Sequence, residues 1–99
     1  MVVPPKLFPE AGSIDSYLDE ADSHLRHGRY ILALRNSLGV IIEIERNSRA
    51  NNIAVKRAYE IVHESSEQLA AEAQKNNNIH MAQAYSLIGI YLDMHKPSS

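Results

Sequence analysis

Apolar residues recur at steps of three and four along four stretches of this chain, and that is the period of an α-helix. In the first stretch Ile14, Tyr17, Leu18, Ala21, Leu25 and Gly28 fall on one stripe, with Asp15, Asp19, Asp22 and Arg26 opposite. The spacing predicts a helix from about Ser13 to His27. Ser13 is the expected N-cap, Asp15 suits the positive end of the helix dipole, and Gly28 ends the helix. A bulkier side chain at Gly28 is expected to crowd the turn. The second stretch predicts a helix from about Arg29 to Arg46. Tyr30, Ala33, Leu34, Ser37, Val40, Ile41 and Ile44 form one stripe, and Ile31, Leu38 and Ile42 a second beside it. Only Arg29, Asn36 and Glu43 make a polar strip. A helix so widely apolar has to be covered on two sides.

Glu45 and Arg49 could pair one turn apart if the second helix reaches that far, while Asn47 to Asn52 is rich in Asn and Ser and reads as a loop. A third helix is expected from about Ile53 to Gln74. Val55, Ala58, Tyr59, Val62, Leu69 and Ala73 would be buried, Ser65 and Ser66 interrupt the stripe, and Glu60, Glu64, Glu67 and Glu72 face solvent. Lys75 to Asn78 breaks the pattern. The fourth helix runs from about Ile79 to His95, with Pro97 as its stop. It carries two stripes, Met81, Tyr85, Ile88, Leu92 and Ala84, Leu87, Tyr91, Met94. Pro4, Pro5 and Pro9 make residues 1–12 an extended arm, in which Leu7 and Phe8 either pack back or meet a partner. No stretch reads as a strand. The expected fold is all-α: four helices over residues 13–95, paired as two stacked antiparallel helical hairpins, with a tail at 96–99.

Charge and composition narrow the function. The 99 residues carry 12 Asp+Glu against 10 Lys+Arg, a net charge of −2. That balance argues against a nucleic-acid binder. No cysteine is present, which excludes a disulfide framework, a thiolate metal site and a Cys nucleophile. The longest apolar stretch, Val40 to Ile44, is broken by Glu43, far short of the roughly 20 residues that span a bilayer. The first residues lack the charged start and apolar core of an export signal. A cytoplasmic protein with no membrane partner and no cofactor is expected.

The junction Gly28-Arg29-Tyr30-Ile31-Leu32-Ala33 resembles the turn of a tetratricopeptide repeat, where Gly relaxes the turn, an aromatic opens the second helix and Ala lets the helices approach. Tyr17 and Ala21 stand where that repeat favours an aromatic and a small residue. Asn77-Asn78-Ile79-His80-Met81-Ala82 repeats the pattern with Asn for Gly. Ala33 and Ala82 are 49 positions apart, whereas tandem tetratricopeptide repeats recur every 34 or so, and the usual Pro after the second helix is missing. The first three helices also loosely resemble the microtubule-interacting-and-trafficking domain. Both resemblances imply a scaffold that holds a peptide or helix of another protein in a groove.

Several constellations could carry chemistry. Glu60 and His63 form one Glu-x-x-His, half of a di-iron pattern that needs two. Glu20, His24 and His27 share one side of the first helix, at a spacing open to zinc. Arg57 and His63 resemble the Arg and His of HEPN-type ribonucleases, which implies phosphate binding and proton transfer as an alternative function. Six helical positions separate them by a rotation of about 120° and about 9 Å of rise. Arg46, Arg49, Lys56 and Arg57 bracket the second loop and could receive an acidic partner. Tyr91 and Met94, if exposed, suit an adaptable binding surface. The expected function is a protein-interaction module, more a binder than an enzyme, using the groove between helices one and three or the outer face of helix four. A homodimer without a further ligand is the other alternative.

Overall fold

Helices form in the four places where the apolar period demands them. The computed structural model describes residues 14–46 and 52–94. Helix α1 spans Ile14–Arg26, α2 Tyr30–Arg46, α3 Asn52–Lys75 and α4 Ile79–Met94, each within one or two residues of its expected ends. No strand occurs among the described residues. The expectations placed on the arm, on Ser13, Arg49, His95 and Pro97 lie outside the described residues.

Both hairpin turns close by one mechanism. Gly28 sits in the left-handed region at φ +75°. Its N–H donates to the Leu25 carbonyl at 3.2 Å, and the Arg29 N–H donates to the His24 carbonyl at 2.8 Å. These two bonds make a Schellman cap, which satisfies carbonyls the helix end leaves open. Asn77 repeats it at φ 59°, with its own N–H donating to Gln74 and the Asn78 N–H to Ala73. Asn78 then caps α4, its Oδ1 accepting from the Met81 N–H at 3.3 Å. The turn at Gly28 is not crowded: nothing lies within 4 Å of where a Cβ would stand. Its positive φ is the constraint. Gly28→Ala is therefore expected to cost about 1–2 kcal/mol through left-handed strain. Asn77→Ala is expected to cost less, because Asn already carries a Cβ there. Thermal melts of the two variants give the order, and equal losses would contradict this account of the turns.

Packing follows chain order. Helix α2 lies between α1 and α3, α3 lies between α2 and α4, and α1 also reaches α3. Among the described residues, helix α4 packs on α3 alone. Two hairpins thus stack side by side into a compact all-α bundle, an arrangement compatible with a helical-repeat-like fold. Leu18, Ala21, Ala33, Val40, Ala58 and Val62 fill the interior. Arg57 of α3 reaches across to Asp19 of α1 at 2.8 Å and to Asp22 at 3.9 Å.

The faces that α2 and α3 bury differ in places from the expected ones. Asn36 is buried rather than part of an outer polar strip, and its Nδ2 lies 3.5 Å from the Tyr17 carbonyl. Ile31 and Ile42, expected under cover, are exposed. On α3, Ala54 and Ile61 join the buried set, because this helix has neighbours on more than one side. Ser37, Ser65 and Ser66 are buried too. Their hydroxyls donate back to carbonyls of their own helices, Ser37 to Ala33 at 2.7 Å, Ser65 to Ile61 at 2.6 Å and Ser66 to His63 at 3.1 Å. A serine satisfied in this way behaves as a small residue, and neighbouring helices can come close.

Candidate docking face on the fourth helix

Helix α4 is apolar nearly all round, yet it has one helical neighbour. Each residue turns the helix by about 100°, so the two sequence stripes point different ways. The stripe of Tyr85, Ile88 and Leu92 is half-buried against the core, and Gly89 is fully covered. The stripe of Ala84, Leu87, Tyr91 and Met94 faces outward. Ile90 and Ile79 join it. Leu87, Ile90, Tyr91 and Met94 are 57–77% exposed. Tyr91 and Met94 therefore have the exposure a binding role requires.

Gly89 explains how α4 is held. A Cβ on Gly89 would lie 2.8 Å from Ser66 Oγ, so the two helices approach closely here and a side chain at this position would have to displace the Ser66 hydroxyl. On the same side His63 of α3 sits 3.2 Å from an Asp93 carboxylate oxygen of α4 and 3.4 Å from one of Glu67. Beside these groups lies a shallow hollow of about 590 Å³, lined by Tyr59, Glu60, His63, Glu64, Glu67, Gln68 and Asp93. Burial, with the Glu45 carboxylate and Tyr91 adding to it, holds the Tyr59 phenol above its ordinary pKa.

The other candidate residues are placed as follows. Arg46 ends α2, Lys56 stands in the second turn of α3, and Tyr91 and Met94 lie in the last turn of α4. The alternation of helix direction brings these residues to one end of the bundle. Arg49 lies outside the described residues. Arg57 turns away to Asp19 and Asp22, so the groove between α1 and α3 is bridged by ion pairs. Arg57 thus meets α1 while His63 meets α4, and these two helices do not touch. The pair is not brought together at one site in this chain.

His24 and His27 are engaged locally. Arg29 Nε donates to His24 Nδ1 at 2.9 Å. His27 Nδ1 lies 2.7 Å from the Ser23 carbonyl, which only accepts, so this nitrogen carries the hydrogen. Glu60 is not among the carboxylates paired with His63. Among the described residues no three His, Asp or Glu side chains are grouped to hold a metal ion. No helix among them is long and apolar enough to cross a membrane. No protein family, curated protein or solved structure matches this chain.

Proposed function

We propose that this chain is a protein-interaction module and that the outer side of α4 is its docking face. The observation that carries this reading is the exposed run Leu87, Ile90, Tyr91 and Met94. With Ile79 it amounts to about 600 Å² of apolar surface, the top of the range a monomer leaves in water. Water contact with such a surface is unfavourable by about 25 cal/mol per Å², and a docked partner removes it. Tyr91 offers a rigid ring with a polar tip, and Met94 a flexible thioether that adapts to an irregular partner. The tetratricopeptide-like turns favour the same reading, since such hairpins hold peptides and helices of other proteins. No comparable argument favours the ribonuclease alternative, with Arg57 and His63 turned to different helices.

The test is capture from host lysate with three forms of the tagged protein. The wild type and Glu20→Lys, a change on the far side of α1, are expected to retain the same proteins. Leu87→Glu with Ile90→Glu is expected to lose them while keeping its helical circular dichroism. An identical set of captured proteins for all three forms would sink the docking face.

A further inference from the structure

We infer that the occupant of this face is a second copy of the chain, seated α4 against α4 about a two-fold axis. The inference rests on reading the outer side of α4 as the docking face, and the first hairpin shows how such a face is filled. The two hairpins repeat at an offset of 49 residues, with Schellman turns at Gly28 and Asn77 in register. At that offset Leu34, Ser37, Leu38 and Ile41 of α2 correspond to Gln83, Ser86, Leu87 and Ile90 of α4. On α2, Leu34, Ser37 and Ile41 are buried. Asn36 marks the α1 side of that helix, so the opposite side is covered by α3, its only other neighbour. On α4 all four corresponding positions are exposed. The fold therefore builds the same seat twice and fills it once.

Helix α4 of a second copy fits this face better than its α1 or α3 does. The outer side of α1 carries Ser16, Asp19, Glu20, Ser23 and Arg26. Stacking it head-to-tail on α4 would press carboxylates against Leu87 and Ile90, and such burial without a partner is costly. The outer side of α3 carries Glu60, Glu64 and Glu67 and meets the same objection. Helix α4 has a single acidic or basic side chain apart from His80, Asp93, and His63 holds it on the α3 side. Two α4 helices therefore meet without opposing like charges.

Gln83, Leu87, Ile90 and Met94 are spaced four, three and four, a seam that runs straight along the helix. Antiparallel pairing about the middle of this seam sets Leu87 of one copy beside Ile90 of the other. The overlap of the two helices runs over residues 83–94 and leaves Ile79 outside it, so the buried surface comes to at most about 500 Å² from each copy, about 1,000 Å² in all, the least that a specific interface uses. Association is therefore expected to depend on concentration within the micromolar range.

Sedimentation equilibrium over a hundredfold concentration range around about 10 µM tests this. The wild-type average mass is expected to rise across the range from near that of one chain toward that of two, and Leu87→Glu with Ile90→Glu is expected to stay monomeric. The chain has no cysteine, so an introduced thiol reports its own neighbourhood. Ile90→Cys is expected to form a covalent dimer on mild oxidation, and Ser16→Cys on α1 is not. A wild type that stays monomeric, a Leu87→Glu/Ile90→Glu form whose mass still rises, or equal cross-linking by both cysteine variants overturns the second copy. A monomeric wild type whose captured proteins still depend on Leu87 and Ile90 overturns this inference alone and leaves the docking face standing.

Discussion

Leu18→Ala is expected to lower the unfolding free energy by about 3 kcal/mol. Leu18 has no solvent exposure and stands among the buried residues of the first hairpin and α3. Its removal loses the transfer energy of the missing carbons and leaves a cavity that close-packed neighbours fill only in part. A chain of this length has about 5–12 kcal/mol of stability in total, so the loss is a large fraction of it. The melting temperature is expected to fall by about 15–20 °C. Urea unfolding gives the free energy directly. A loss below about 1 kcal/mol would mean that the α1 side of the core is not packed as described.

Gly89→Val is expected to be the next most damaging single change, at about 2–3 kcal/mol. The added Cβ would stand 2.8 Å from Ser66 Oγ, and the two methyl groups would enter the same gap. Gly89→Ala is the informative control. Ser66 can rotate its hydroxyl away from the new methyl at the loss of its bond to the His63 carbonyl. Alanine recovers about 1 kcal/mol of helix propensity, so the net change should be small. Ser66→Gly is expected to restore part of the stability of the valine variant. Because α3 is the helix that α4 packs on among the described residues, the damage should be local. Hydrogen exchange is expected to accelerate in α4 first, with α1 and α2 little affected. Uniform acceleration across all four helices would mean that α4 is coupled to the core more widely than its single contact suggests.

Much of the fold was legible because helices announce themselves locally. The steps of three and four set all four elements, and Gly28 set the first turn. Asn77 marked the second turn, since Asn tolerates the left-handed region better than most residues with a side chain. What local pattern could not supply was rotation. Asn36 looked like a solvent residue because it is polar, yet it faces α1. Ile31 and Ile42 looked like core because they are apolar, yet they face outward. On a helix with more apolar residues than neighbours, period alone does not say which stripe is covered.

The candidate site was half legible for the same reason. Tyr91 and Met94 were identifiable as residues that would bind if exposed, and the structure exposes them. Ile90 was missed, because it belongs to neither stripe as drawn. The 49-residue offset from Ile41 was the signal that could have found it. Arg57 looked available at a basic end, but its ion pairs with Asp19 and Asp22 depend on α1 and α3 lying side by side.

The four helices, their order and the two hairpin turns follow from local pattern, because backbone hydrogen bonds, caps and apolar period are properties of neighbouring residues. Which face of α4 is left in water is set instead by the way α3 and α4 pack. That choice depends on where α3 offers Ser66 to Gly89 and His63 to Asp93, and these contacts join residues about 23 to 30 positions apart.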